Sequence, residues 1–114
     1  MTTHIGNGPQ HTLRAYGVAC ELVRAVAAAK IGDAKLRDQA MRAVQSAALN
    51  CAEGAGRLTR PDKARAFAIA RGECVEACAA VEIAMLSGTA NADRYAAVES
   101  IANVLYAMLT RLIR

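Results

Sequence analysis

Asn50-Cys51-Ala52-Glu53-Gly54-Ala55-Gly56-Arg57 is the stretch on which the reading of this 114-residue chain turns. It sets polar residues and two glycines at the end of an alanine-rich run. Upstream, Leu36, Ala40, Val44, Ala47 and Cys51 recur at three- and four-residue steps, the spacing of one helix face. Gln39, Arg42, Ser46, Asn50 and Glu53 share a polar stripe beside them. A helix over Ala34–Glu53 is therefore predicted, stopping at the Gly54-Ala55-Gly56 break. The polar stripe reads either as an ordinary solvated face or as structure that fixes the following loop. In the second reading Asn50 and Glu53 bond to the loop or to the next helix, and Glu53 pairs with Arg57 or Arg71.

Working outward, the remaining punctuation divides the chain into four helices. Residues 1–11, with Gly6, Gly8 and Pro9, read as a flexible lead-in. Residues 12–114 read as one helical domain. The first helix is predicted over Thr12–Lys30, with Leu13, Tyr16, Cys20, Val23 and Ala27 as its apolar positions. Gly32 ends it and Asp33 can cap the second. Thr59 and Arg60 precede Pro61, a favoured first-turn residue followed by acidic Asp62, so the third helix starts there. It runs to about Leu86, Ser87-Gly88-Thr89 turns the chain, and Asn91 caps a fourth helix that continues to the carboxyl end. Short connections between four helices predict an all-α, antiparallel up-down-up-down bundle.

Composition supports this class. Hydrophobic residues make up 54% of the chain and charged residues 21%, which excludes disorder. Alanine fills roughly a quarter of the positions, and alanine is both the best helix former and small enough to let helices approach closely. No window reaches the roughly 18 uninterrupted apolar residues of a membrane span. The first dozen residues lack the basic start and apolar core of a signal peptide, so a cytoplasmic location is expected. On the fourth helix, Val98, Ile101, Leu105, Met108 and Leu112 form one stripe. Tyr95, Ala102, Tyr106, Leu109 and Ile113 form another beside it. Together they cover roughly 200°, more than one core-facing stripe needs, and a subunit interface is expected there.

Charge is distributed unevenly. Residues 54–72 hold Arg57, Arg60, Lys63, Arg65 and Arg71 against Asp62 alone, which equals the whole chain's formal +4. Glycines that permit close backbone approach, a helix start with free amides, and arginines that match phosphate geometry together suggest an anion site. The segment is not a nucleotide loop, because it has no GxxxxGK[ST] and no preceding strand. It has no aromatic free to stack on single-stranded bases, since Phe67 falls on the core face. Sequence-independent contact with a nucleic-acid backbone is the chemistry that remains.

Catalytic and metal chemistry find little support. Cys74 and Cys78 lie one turn apart on the apolar stripe of Phe67, Val81 and Met85, where cysteine acts as a small hydrophobe. With Cys20 and Cys51 they are expected to be reduced thiols. The two histidines, His4 and His11, sit in the lead-in, away from any cysteine pair. Glu73, Glu76, Glu82 and Glu99 lack the Glu-x-x-His partners of di-iron bundles and are expected to pair with basic neighbours or face water. No cofactor, no metal and no enzymatic activity are expected.

With the helices placed, Asn50-Cys51-Ala52-Glu53-Gly54, then Gly56-Arg57, resembles the Asn-Ile-Ala-Glu-Gly…Gly-Arg signature of the 23S ribosomal RNA intervening-sequence proteins. The similarity continues through Phe67, Ile69-Ala70, Gly72 and Glu76. Cys51 departs from the aliphatic residue usual there. The resemblance implies a small cytosolic bundle that assembles as a ring, a homopentamer. It also implies kinship with the accessory proteins of diversity-generating retroelements, which bind nucleic acid and a reverse transcriptase. The expected function is thus a non-enzymatic homo-oligomer that binds RNA or DNA through Arg57, Arg60, Lys63, Arg65 and Arg71. Asn50, Glu53, Gly54 and Gly56 are its structural motif. An oligomeric adaptor that recruits a protein partner such as a reverse transcriptase is the alternative.

Overall fold

Local capping chemistry places three of the four helices. The computed structural model describes residues 6–114. Helix α1 spans Arg14–Ala28, α2 Ala34–Gly56, α3 Arg60–Leu86 and α4 Ala92–Ile113. The Asp33 carboxylate accepts from the Leu36 amide at 2.9 Å and starts α2. The Thr59 hydroxyl accepts from the Asp62 amide at 3.3 Å and starts α3, with Pro61 in the first turn, where its missing N–H costs nothing. Asn91 Oδ1 accepts from the amides of Asp93 at 2.7 Å and Arg94 at 3.1 Å and starts α4. Gly88, at φ +84°, supplies the left-handed residue of the turn before it.

The helices form a four-helix bundle, and no strand occurs among the described residues. The most extensive contact joins α2 to α3, and α3–α4, α4–α1 and α1–α2 contacts close the square. At one end, the Gly32 amide donates to the Thr89 carbonyl at 2.8 Å, tying the α1–α2 connection to the α3–α4 turn. At the other, Arg60 Nη2 donates to the Arg114 carbonyl at 2.7 Å, tying the start of α3 to the end of α4. The 27 residues of α3 account for the long dimension of the molecule, which measures 44 × 29 × 21 Å.

Small side chains fill much of the interior. Ala15, Ala19, Ala40, Ala47, Ala70, Ala77 and Ala84 are fully buried, between larger anchors Leu22, Val44, Val81, Val98, Leu105 and Leu109. Every buried residue of the core is apolar, thiol-bearing or aromatic, so no polar side chain has to be satisfied there. Close helix approach follows from this composition.

Three boundaries differ from expectation. The chain does not enter α1 at Thr12: Pro9–Thr12 form a 3-10 turn that packs on α2, and the His11 ring meets Tyr16 edge-on at 5.1 Å. Residues 1–5 of the expected lead-in lie outside the described residues. Helix α1 stops before Lys30, and Lys30 itself, at φ +48°, takes the left-handed conformation expected near Gly32. The third difference is the largest. Gly54-Ala55-Gly56 is not a break, because α2 continues through Gly56. Gly54 is buried, and a Cβ built on it would overlap the Phe67 ring. The glycine serves helix contact, and its partner lies 13 residues away on α3.

Helix α4 is 22 residues long, and its most apolar window has mean hydropathy 1.3, enough by length and composition to cross a membrane. The same properties suit a bundle helix whose Val98, Ala102, Leu105 and Leu109 are buried in the core.

Candidate nucleic-acid interface

Folding separates the five cations of the basic segment by what each side chain does. Arg57, just past α2, donates to Glu53 Oε2 at 3.1 Å, one turn back along the helix. Both side chains are about half exposed, so the pair adds only about 0.3–0.5 kcal/mol. It is the sole ion pair among the described residues. Lys63 Nζ donates to the carbonyls of Gly54 at 3.1 Å and Ala55 at 3.3 Å, satisfying two acceptors that the end of α2 leaves open. Arg60 reaches the Arg114 carbonyl, as described above. Arg65 is exposed on α3.

Arg71 is tied to α4. Its guanidinium lies over the Tyr106 ring, with Cζ 4.2 Å from the centroid, and donates to the Tyr106 hydroxyl. Its Nε is buried without a partner. A cation over an aromatic face contributes about 0.5–1 kcal/mol at such a site. Arg71 thus fastens α3 to α4, and Glu53 pairs with Arg57.

The polar stripe of α2 faces an open groove of about 740 Å³ between α2 and α3, lined by Lys35, Gln39, Arg42, Ser46, Asn50, Glu73 and Glu76 among others. Asn50 does not reach the loop or α3. Its amide donates to the Ser46 carbonyl at 2.9 Å and to Ser46 Oγ at 3.3 Å, within its own helix. The expectation that Asn50 fixes the loop is therefore corrected: a short amide four residues from a helical carbonyl finds that local partner first. Glu76, Glu82 and Glu99 are exposed, and Glu99 accepts from the Tyr95 hydroxyl at 3.1 Å.

The two buried thiols, Cys51 and Cys74, are held in the protonated form. Burial, then the neighbouring Cys74, pushes the Cys51 thiol up to about 12. Burial, then Cys78, pushes Cys74 up to about 11. Cys74 Sγ contacts the Ala102 carbonyl at 3.5 Å, and all four cysteines are free. Thiolate chemistry at neutral pH is disfavoured at both buried sites. No group of three or more His, Cys, Asp or Glu side chains comes together among the described residues.

Cations outside the segment join the same end of the molecule. Arg14, at the start of α1, and Arg111, in the last turn of α4, line one shallow cleft with Leu13, Met108 and Leu112. Arg60 and Arg114 meet beside them. Sequence reasoning missed Arg14, Arg111 and Arg114 because they are isolated along the chain. Their positions at helix ends were the available signal, since neighbouring bundle helices bring such ends together.

An all-α bundle with a small-residue core and arginines gathered at one end is the class that these features define. The chain belongs to the family of 23S rRNA-intervening sequence proteins, whose model matches residues 11–111. No curated protein matches the chain.

Proposed function

We propose that this protein is a non-enzymatic, homo-oligomeric bundle that binds the backbone of RNA or DNA through its basic segment. Within each subunit the helices run antiparallel, up-down-up-down. This direction is supported by the two tied ends, Gly32 with Thr89 and Arg60 with Arg114. Ring assembly, with five subunits as the leading number, is supported by apolar surface that one chain leaves open. On α3, Ile69, Val75, Ile83 and Leu86 are 43–75% exposed, and on α4 Val104 and Tyr106 are 51% and 39% exposed. Most of the two apolar stripes of α4 packs in or against the subunit's own core, and only Tyr106 and Leu112 of them stay exposed, so the surface open to further copies lies chiefly on α3.

The observation that carries nucleic-acid binding is the excess of arginine at the α2–α3 junction, where Arg57, Arg60 and Arg65 all remain at the surface. Repeated around a ring, each subunit's excess would add to a continuous positive surface, as backbone binding requires. A gel-shift titration at two salt concentrations tests this reading. Binding that weakens with salt and weakens again in Arg57→Ala with Arg60→Ala is expected. No binding at low salt, or binding indifferent to that double substitution, would refute it.

The same apolar strip on α3 supports a second reading, an adaptor ring that recruits a protein such as a reverse transcriptase. Purified protein that is free of nucleic acid and captures a defined protein partner would favour it. Neither reading assigns the chain a cofactor or a metal, and both suit a cytoplasmic protein.

A further inference from the structure

We propose that the phosphate-binding surface is the end face of the bundle, and that Arg14 and Arg111 hold phosphates there with Arg57, Arg60 and Arg114. This inference rests on the nucleic-acid reading and names the face and the residues that carry it. The face is where α1 and α3 begin and α2 and α4 finish. Three contacts assemble it: Arg60 with the Arg114 carbonyl, Lys63 with the Gly54 and Ala55 carbonyls, and the cleft that Arg14 shares with Arg111.

Among the described residues, six side-chain cations meet two side-chain carboxylates on this face, counting Lys63 with the five arginines against Glu53 and Asp62. Arg65 and Arg71 of the basic segment lie further along α3. The opposite end carries no such excess, because Lys30, Lys35, Arg37 and Arg94 alternate there with Asp33, Asp38 and Asp93. Helix dipoles do not produce the difference. Two helices begin and two end at each face, so their terminal partial charges of about half a unit cancel. The field comes from side chains.

All five arginines on the face are exposed. Arg57 and Arg60 each spend one guanidinium nitrogen, on Glu53 and on the Arg114 carbonyl, and keep their remaining N–H groups for phosphate oxygens, as do Arg14, Arg111 and Arg114. The cross-section is 29 × 21 Å. A duplex laid across the longer dimension presents about 17 backbone charges, at one per roughly 1.7 Å, so phosphates are available to every arginine. Among the described residues the face has no exposed Phe, Tyr or Trp to stack on bases, and these arginines read charge and spacing. RNA and DNA therefore share this chemistry.

The test is a fluorescence-anisotropy titration of the full chain with a 20-base-pair RNA duplex and, in a second arm, a DNA duplex of the same sequence, across a salt series. Arg14→Ala with Arg111→Ala is compared with Arg24→Ala with Arg42→Ala, which removes the same charge from helix sides. At 100 mM salt the counterion contribution is about tenfold per phosphate contact. The end-face pair is expected to lose at least about tenfold in affinity and to reduce the salt slope by about 2, in both arms. The side pair is expected to change affinity less than about threefold, the share of general charge. Arg14→Lys with Arg111→Lys is expected to retain the wild-type slope, which separates lost charge from lost folding. If the wild type binds and the end-face pair loses no more than the side pair, the end face is wrong while nucleic-acid binding stands. If the wild type binds neither duplex at low salt, the underlying reading fails and this inference with it.

Discussion

At the scale of single residues, Gly54 has the clearest physical role. Its missing Cβ leaves space for the ring of Phe67, which is 4% exposed and cannot swing into solvent. Gly54→Ala gains about 1 kcal/mol of helix propensity but overpacks a filled site at a cost of about 1–3 kcal/mol. A net loss of about 1 kcal/mol in urea unfolding is expected. Gly56 has open space around it, so Gly56→Ala is expected to gain about 0.5 kcal/mol in the same measurement. The sequence marked Gly54 as special but suggested a break. Its partner is distant in the chain, and helical periodicity carries no record of which side chain faces it across the α2–α3 contact.

The buried thiols give a second residue-scale expectation. Their pKa values in the folded chain lie above the ordinary cysteine value of 9.0, at about 12 for Cys51 and about 11 for Cys74. A raised folded pKa means that the stabilising contribution is complete below pH 9 and is lost as pH rises through the folded values. Melting temperature is thus expected to be flat to about pH 8.5 and to fall between pH 9 and 12. Cys51→Ala with Cys74→Ala should start less stable, because it leaves cavities, but should lose less over that alkaline range. Thermal melts followed by circular dichroism at each pH check both points.

At the scale of elements, the starts of α2, α3 and α4 were legible because their chemistry is local, whereas α1, which has no side-chain cap, starts at Arg14 and not at Thr12. Asp33, Thr59 with Pro61, and Asn91 each act on an amide two or three residues on, and no tertiary contact decides them. Asn91→Ala should cost about 1 kcal/mol by urea denaturation. Helix ends were harder to read. Lys30 rather than a glycine adopts the left-handed conformation, and α2 runs through two glycines because its contact with α3 outweighs their propensity. Phe67→Ala, which empties the space beside Gly54, should cost about 3–5 kcal/mol. By contrast, Glu53→Gln should change stability by less than about 0.5 kcal/mol, since its pair with Arg57 is half exposed.

At the scale of the whole molecule, the basic segment proved to be only part of a surface. Arg60 meets Arg114 and Arg14 shares a cleft with Arg111, at the end of the bundle where Arg57 and Lys63 close α2, while Arg71 is drawn onto Tyr106. That regrouping was hidden in the sequence because charge along a chain and charge on a bundle end are ordered differently. If Arg57 contributes to binding, releasing it from Glu53 should help: Glu53→Gln is expected to tighten duplex binding about two- to fivefold at low salt. Native mass spectrometry of protein purified without nuclease treatment reads assembly and nucleic-acid binding at once. The expected mass is an integral multiple of the 12.0 kDa subunit, five subunits as the leading number, carrying nucleic acid that salt removes. A bare monomer at micromolar concentration would contradict it.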